Sequence, residues 1–221
     1  MPVVFLDLAQ ACAPMVSAEI LAGVVSLESR FEPFAIRINS GAPLAAQPAN
    51  KAEAIEIATT LATKRQDIQL GLGGLGVEEL RNLKISISDA FDPCINLRAT
   101  ATLLDGYYRL AVKAGAQPNR AEQMMLQSYF GRGDPSAGAM VNYDKQVRQE
   151  VTRLAGTLKT VTLENGGQWM KPDAAAHGTA IVDAGKDEDP TDQTVSVPPW
   201  DVFSSRRRSS VLVFQNSQME E

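Results

Sequence analysis

The chain has 221 residues, 44% of them hydrophobic and 21% charged, with a formal net charge of -5. That length and balance suit one globular domain of roughly 150 residues with a real core, plus additional chain. The acidic balance argues against nucleic-acid binding, and no apolar run approaches the ~18 residues that a membrane span requires.

At the N-terminus Val3-Val4-Phe5-Leu6 is apolar, and Ala9-Gln10-Ala11 has the small-x-small form of a signal cleavage site. The apolar core is shorter than the roughly 7 to 15 residues of such a signal, Asp7 interrupts it, and the first basic residue is Arg30. No complete signal peptide is read here. Next, Ser17 is a candidate N-cap with Glu19 in the first turn, where a negative charge suits the helix dipole. Ile20, Leu21, Val24, Val25 and Leu27 then recur at helical spacing, which predicts a short amphipathic helix over 18–29. Pro33 and the cluster from Phe31 to Phe34 force the chain out of it. Glu28 lies on the stripe of Leu21, Val24 and Val25, near the helix C-terminus. Both placements disfavour its ionised form, and a carboxyl group kept protonated is what a general acid needs. The other reading is a fraying helix end, with Glu28 bent out to water beside Arg30.

Residues 40–49 read as a surface loop, and Asn50 with Glu53 opens a helix through Ala54, Ile55, Ala58 and Leu61. Gly71-Leu72-Gly73-Gly74-Leu75-Gly76 formally satisfies a dinucleotide-binding glycine pattern. That motif needs a strand before it and a long helix after it. Here the preceding residues 64–69 are polar, and Val77 to Leu83 allows two turns at most. A Gly-rich turn, or a loop that brings its backbone close to a ligand, fits better. Asp92-Pro93 starts a core helix with the stripe Leu97, Ala101, Leu104, Tyr108 and Ala111. Asn119 with Glu122 forms another capping box ahead of Met124, Met125 and Leu126. The Arg132-Gly133-Asp134 triplet sits in a loop and reads as chance. A last helix carries Met140, Val147, Val151 and Leu154 on one side. A run of helices without alternating strands means a mostly α fold.

From about Thr157 the composition shifts to Pro, Gly, Asp and Thr, the signature of a linker. The division is a domain over 1–156, a linker over 157–198 and a C-terminal segment over 199–221. Trp200, Val202 and Phe203 with the pentad 210–214 suggest a docking peptide that orders on a partner. The other reading is a strand packed back on the domain. The single histidine, His177, falls in the linker, which leaves the domain no Ser-His-Asp triad and no zinc set. No cofactor or metal is expected. Cys12 and Cys94 are far apart and form no C-x-x-C pattern. They are either one bridge of an exported domain or two buried thiols of a cytosolic one.

Several pieces, in order, resemble one family. They are Cys12-Ala13-Pro14; Glu28-Ser29-Arg30-Phe31-Glu32-Pro33-Phe34-Ala35-Ile36; Gln47-Pro48 with the helix from Lys51; Leu70-Gly71-Leu72-Gly73; Phe91-Asp92-Pro93-Cys94-Ile95-Asn96-Leu97; and Ser128-x-x-Gly131. Together they are similar to the specialised lytic transglycosylases of type IV secretion and conjugation systems, over roughly residues 5–155. The segment Trp200-Asp201-Val202-Phe203 is similar to the C-terminal extension of some members. The resemblance implies a mainly α, α+β lysozyme-like domain that cleaves the MurNAc-β-1,4-GlcNAc bond of peptidoglycan with a 1,6-anhydro product. It implies Glu28 as the single catalytic residue, Ser29 as a residue that helps hold it, and Tyr129 as a substrate-side tyrosine able to hydrogen-bond it. Gly73, Gly74, Leu75 and Ser128 complete the implied substrate contacts. Cys12–Cys94 is the implied disulfide, and the periplasm the implied compartment. The implied partners are glycan strands and periplasmic components of the secretion channel. Two departures stand out. Gly74 and Gly76 occupy positions where the family usually has Gln and Asn, so those side-chain contacts must be lost or replaced by backbone groups. The family's later Tyr-Asn-x-Gly element reads Tyr129-Phe130-Gly131-Arg132-Gly133 instead. The rival reading is a catalytically weakened peptidoglycan-binding or scaffolding subunit. By loop position, Asp67, Glu78 and Asp134 are the nearest candidates for a second carboxylate.

Overall fold

The computed structural model describes residues 3–163. They form a mainly α domain with two small antiparallel sheets. In chain order the elements are β1 (Val3–Val4), α1 (Phe5–Cys12), α2 (Ala18–Glu28), β2 (Ile36–Ile38), α3 (Lys51–Thr63), β3 (Ile68–Leu70), β4 (Leu75–Gly76), α4 (Val77–Leu83), α5 (Ile87–Ala90), α6 (Pro93–Lys113), α7 (Pro118–Phe130), α8 (Pro135–Met140), α9 (Tyr143–Leu154), a 3-10 turn (Leu158–Thr160) and β5 (Thr162–Leu163).

The capping logic holds for most of these helices. Ser17 Oγ accepts from Ile20 N at the head of α2. Asn50 accepts from Glu53 N, and Asp92 accepts from Ile95 N with Pro93 in the first turn of α6. Two expectations fail. The capping box of Asn119 and Glu122 does not form, because Pro118, with its preset φ, starts α7 after Gln117 instead. The expected last helix is two helices: Asn142 adopts φ 54° and breaks the chain between α8 and α9, leaving Met140 80% exposed.

Two apolar clusters fill the domain. The larger is helical, with Phe5, Leu21, Val24, Val25, Leu97, Leu104, Leu126 and Val147 fully buried. The smaller lies under the sheet β2-β3-β4 and gathers Ile36, Ile68, Leu70, Leu75 and Phe91. Leu103 of α6 borders both. The glycine-rich stretch 71–76 is the turn of an antiparallel β3–β4 hairpin, so no βαβ unit surrounds it. The Arg132-Gly133-Asp134 triplet is structural: Arg132 pairs with Asp67, and Asp134 caps α8 through Ser136 N.

The folded part continues past the boundary expected at 156. Leu158, Val161 and Leu163 are buried, and β5 pairs with β1 in the register Val3↔Leu163 and Val4↔Thr162. Neither strand is visible in the sequence alone, since two residues carry no periodicity. The rest of the expected linker, His177, and the segment 199–221 with Trp200, Val202 and Phe203 lie outside the described residues.

Cys12 and Cys94 form a disulfide that joins the end of α1 to the first turn of α6 across 82 residues of sequence. A loop of that length should make the bridge worth about 4.5 kcal/mol through the unfolded chain. The paired substitution Cys12→Ser and Cys94→Ser should lower unfolding stability by that order, read from urea denaturation. Reductant added to the unsubstituted protein should reproduce the loss.

Candidate active site

Helix α2 ends on Glu28, and the chain then turns away at once. Ser29 N donates back to Val25 O, and Arg30 and Phe31 take φ of 55° and 65°. Left-handed backbone at two ordinary residues is unfavourable by about 1–2 kcal/mol each. Burial of Phe31, edge-on to Phe5 with ring centroids 5.0 Å apart, offsets it. Five residues after Phe31, β2 begins and brings Arg37 over Glu28.

The Glu28 side chain is 3% exposed, so the reading of a carboxylate bent out to water is excluded. Its Oε1 accepts a 2.6 Å hydrogen bond from the Tyr143 hydroxyl, and its Oε2 pairs with the Arg37 guanidinium. Burial pushes the Tyr143 hydroxyl well above its ordinary value, so it stays a proton donor across neutral pH. Tyr143 itself is 3% exposed and packs against Phe130, with ring centroids 5.1 Å apart. The first turn of α9 is tied down beside it, where Gln127 Nε2 donates to Asp144 Oδ1 at 2.9 Å and both side chains are buried.

The glycine turn backs directly onto Glu28. At Gly74, φ is 67°, and a Cβ there would stand 2.9 Å from Glu28 Oε2 and 3.3 Å from Glu28 Cβ. Asn96 pins this turn. Its Oδ1 accepts from Gly73 N at 2.8 Å, and its Nδ2 donates to Leu70 O and Ala90 O. The Tyr129 hydroxyl donates to Gly73 O at 2.6 Å. Asn96→Ala would remove the side-chain partner of Gly73 N, Leu70 O and Ala90 O, at roughly 1–3 kcal/mol for each group left unpaired. A loss of about 4 kcal/mol in unfolding stability is therefore expected, measured by urea titration.

Several expected contacts are redistributed. Tyr129 does not reach Glu28, because its hydroxyl is committed to the glycine turn; the tyrosine on the acid is Tyr143. Ser29 does not hold the Glu28 side chain either, since its Oγ donates to Val25 O and closes the helix end. Leu75 is wholly buried in the sheet core, and Ser128 is 8% exposed within α7. Gly73 N and O are both already bonded, so its backbone is not open to a glycan.

The accessible surface beside Glu28 comes from the sheet and the α7–α8 turn. Arg37, Asn39, Asp67, Gln69, Phe130, Gly131 and Arg132 line an open pocket of about 350 Å3. A second pocket of about 570 Å3 shares Asp67 and Arg132 and extends to Arg65, Gln66 and Arg81. The other carboxylates are engaged elsewhere. Asp67 binds Arg132 and Asn39, Asp134 caps α8, and Glu78 is exposed. Glu79, which sequence reasoning passed over, accepts from Gly76 N at 2.6 Å, and burial raises its carboxyl above the ordinary range. Arg37 and Tyr143 were also missed. Tyr143 carried a usable signal, lying four residues before Val147 on the same helical stripe.

These features define a class: a small α+β domain with a buried carboxyl group, Glu28, held behind an arginine that lines an open polar cleft. Sequence comparison makes this more particular. The chain is similar to the type IV secretion system protein virB1 of Brucella abortus, 36% identical over 127 residues, or 57% of this chain and 53% of that protein. It is also similar to protein virB1 of Agrobacterium fabrum, 29% identical over 158 residues, or 70% of this chain and 62% of that one. The chain spans about half the length of the Brucella relatives it matches. It is thus related in sequence to virB1 proteins, as its motifs implied. No family model matches the chain, and no solved structure matches it. Among the described residues no helix is long and apolar enough to cross a membrane.

Proposed function

We propose that the protein is a lytic transglycosylase of a type IV secretion system, acting on peptidoglycan in the periplasm to open the wall for the secretion channel. The observation that carries the reading is Glu28: a buried carboxyl group with a tyrosine hydroxyl on one oxygen and, on the other, Arg37, which lines an open polar pocket. In its protonated form Glu28 gives its proton to the glycosidic oxygen as the bond to C1 breaks. The substrate's own N-acetyl group stabilises the cationic centre, so a second carboxylate is not needed. The Glu28 carboxylate then takes the proton of the C6 hydroxyl, whose oxygen closes onto C1 as a 1,6-anhydro ring. Tyr143, protonated throughout, fixes the orientation of the carboxyl group during both transfers.

The polar face of Arg37, Asn39 and Gln69, with Phe130 40% exposed at its rim, takes over the sugar-facing role that glycine leaves vacant at positions 74 and 76. Mass analysis of muropeptides released from purified sacculi tests the proposal. Products ending in 1,6-anhydro sugars support it. Ordinary reducing ends mean hydrolysis by water, and no release at all favours the binding or scaffolding role.

A further inference from the structure

Arg37 makes two kinds of contact. Inward, its guanidinium pairs with Glu28, and its Nε donates to Gln69 Oε1 at 2.7 Å. Outward, the side chain is 44% exposed and lines the open pocket. The other guanidinium of that pocket, Arg132, is committed to Asp67 at 2.8 Å. Glu28 is therefore the carboxylate that balances Arg37. A general acid must be neutral before it donates, however, and a protonated Glu28 no longer supplies that negative charge. A partly buried guanidinium without a counter-ion is unfavourable, and a carboxylate arriving from the cleft would restore the pair as a charge-assisted hydrogen bond.

We propose that Arg37 exchanges partners on substrate binding, releasing Glu28 and taking a carboxylate carried by the glycan, so that the site selects anionic over neutral sugar chains. This rests on the glycan-cleaving reading above. In peptidoglycan the carboxylate comes either from the lactyl ether of the muramic sugar or from the peptide attached to it. The exchange couples two events: the substituent that marks the correct substrate also frees the acid to become protonated. Arg37 is thus a positioning and specificity residue, and the proton transfers remain with Glu28.

Three probes without a glycosidic bond separate the possibilities, because none can be cleaved. They are N-acetylglucosamine (neutral), N-acetylmuramic acid (lactyl carboxylate) and N-acetylmuramyl dipeptide (peptide carboxylate). Binding is followed by NMR titration of the full chain. Glu28→Gln, which mimics the neutral acid, should tighten binding of one or both anionic probes by about ten-fold, the size of one charge-assisted bond. N-acetylglucosamine should bind both proteins alike. Adding Arg37→Gln should remove the gain, and Arg37→Lys should keep part of it. A gain confined to the muramic acid identifies the lactyl group, and one confined to the dipeptide identifies the peptide. Equal tightening of the neutral sugar, or a gain that survives Arg37→Gln, overturns the exchange. Thermal unfolding of each variant guards against misfolding, which Arg37→Lys is chosen to avoid. Absence of 1,6-anhydro products would defeat the catalytic reading while leaving this binding result to stand or fall separately.

Discussion

Glu28→Gln is expected to lower the release of 1,6-anhydro muropeptides by about 10³-fold, the usual scale for loss of a positioned acid–base group. The amide has nearly the shape of the carboxyl group and its oxygen can still accept from Tyr143, so the fold around the cleft should be kept, while Arg37 loses its counter-ion. It carries no proton to donate and cannot remove one from the C6 hydroxyl, so both halves of the reaction fail together. Initial rates on purified sacculi provide the measurement, with unfolding midpoints as the control. Retention of more than about a tenth of the activity, against that 10²–10⁴ scale, would move the acid to another residue. Glu79 would then be the first to examine, since burial raises it as well.

The next largest effect is expected from a methyl group. Gly74→Ala places a Cβ within 2.9 Å of Glu28 Oε2 on a backbone whose φ of 67° an L side chain rarely adopts. The backbone strain alone is about 1–3 kcal/mol. Relief by displacing Glu28 would shift the carboxyl group from its place by several tenths of an ångström. Misplacement on the ångström scale lowers turnover by roughly 10²-fold, and a fall of that order in anhydro-muropeptide release is expected. Gly106→Ala on α6, where a Cβ meets nothing within 4 Å, should leave activity unchanged and serves as the control. The same geometry accounts for glycine at a position where the resemblance led one to expect glutamine: in this chain the turn presses on Glu28 too closely to admit a side chain.

The parts of the fold that the sequence disclosed are those governed by local rules. Ser17, Asn50 and Asp92 cap the helices they were expected to cap, and the stripe of α6 buries Leu97, Ala101 and Leu104. Glu28 could be placed on an apolar face from spacing alone. Its neighbours could not, because they reach it by tertiary routes. Arg37 arrives on a three-residue strand whose register depends on pairing with Gln69, and Tyr143 arrives from 115 residues away. The tyrosine was sought at 129 rather than 143 because motif order does not tell which hydroxyl faces the acid; Tyr129 is drawn instead to the carbonyl of Gly73. Asn96 was legible as part of a motif, but its grip on the glycine turn was not. The pair β1–β5 is too short to leave any pattern in the sequence.

That pair has a mechanical consequence. Because Val3 stands opposite Leu163, a load applied between the two ends of the described domain opens the ladder from one end, one residue pair at a time, like a zipper. Tension passing along the chain would therefore first free these flanking strands. Further in, the link between Cys12 and Cys94 closes a covalent ring that contains Glu28, Arg37 and the whole glycine turn, with Tyr143 outside it. Pulling on the ends cannot extend the chain inside that ring. Glu28, Arg37 and the glycine turn lie in the segment that cannot be drawn out, while the tyrosine hydrogen-bonded to Glu28 lies on the part that can be peeled away.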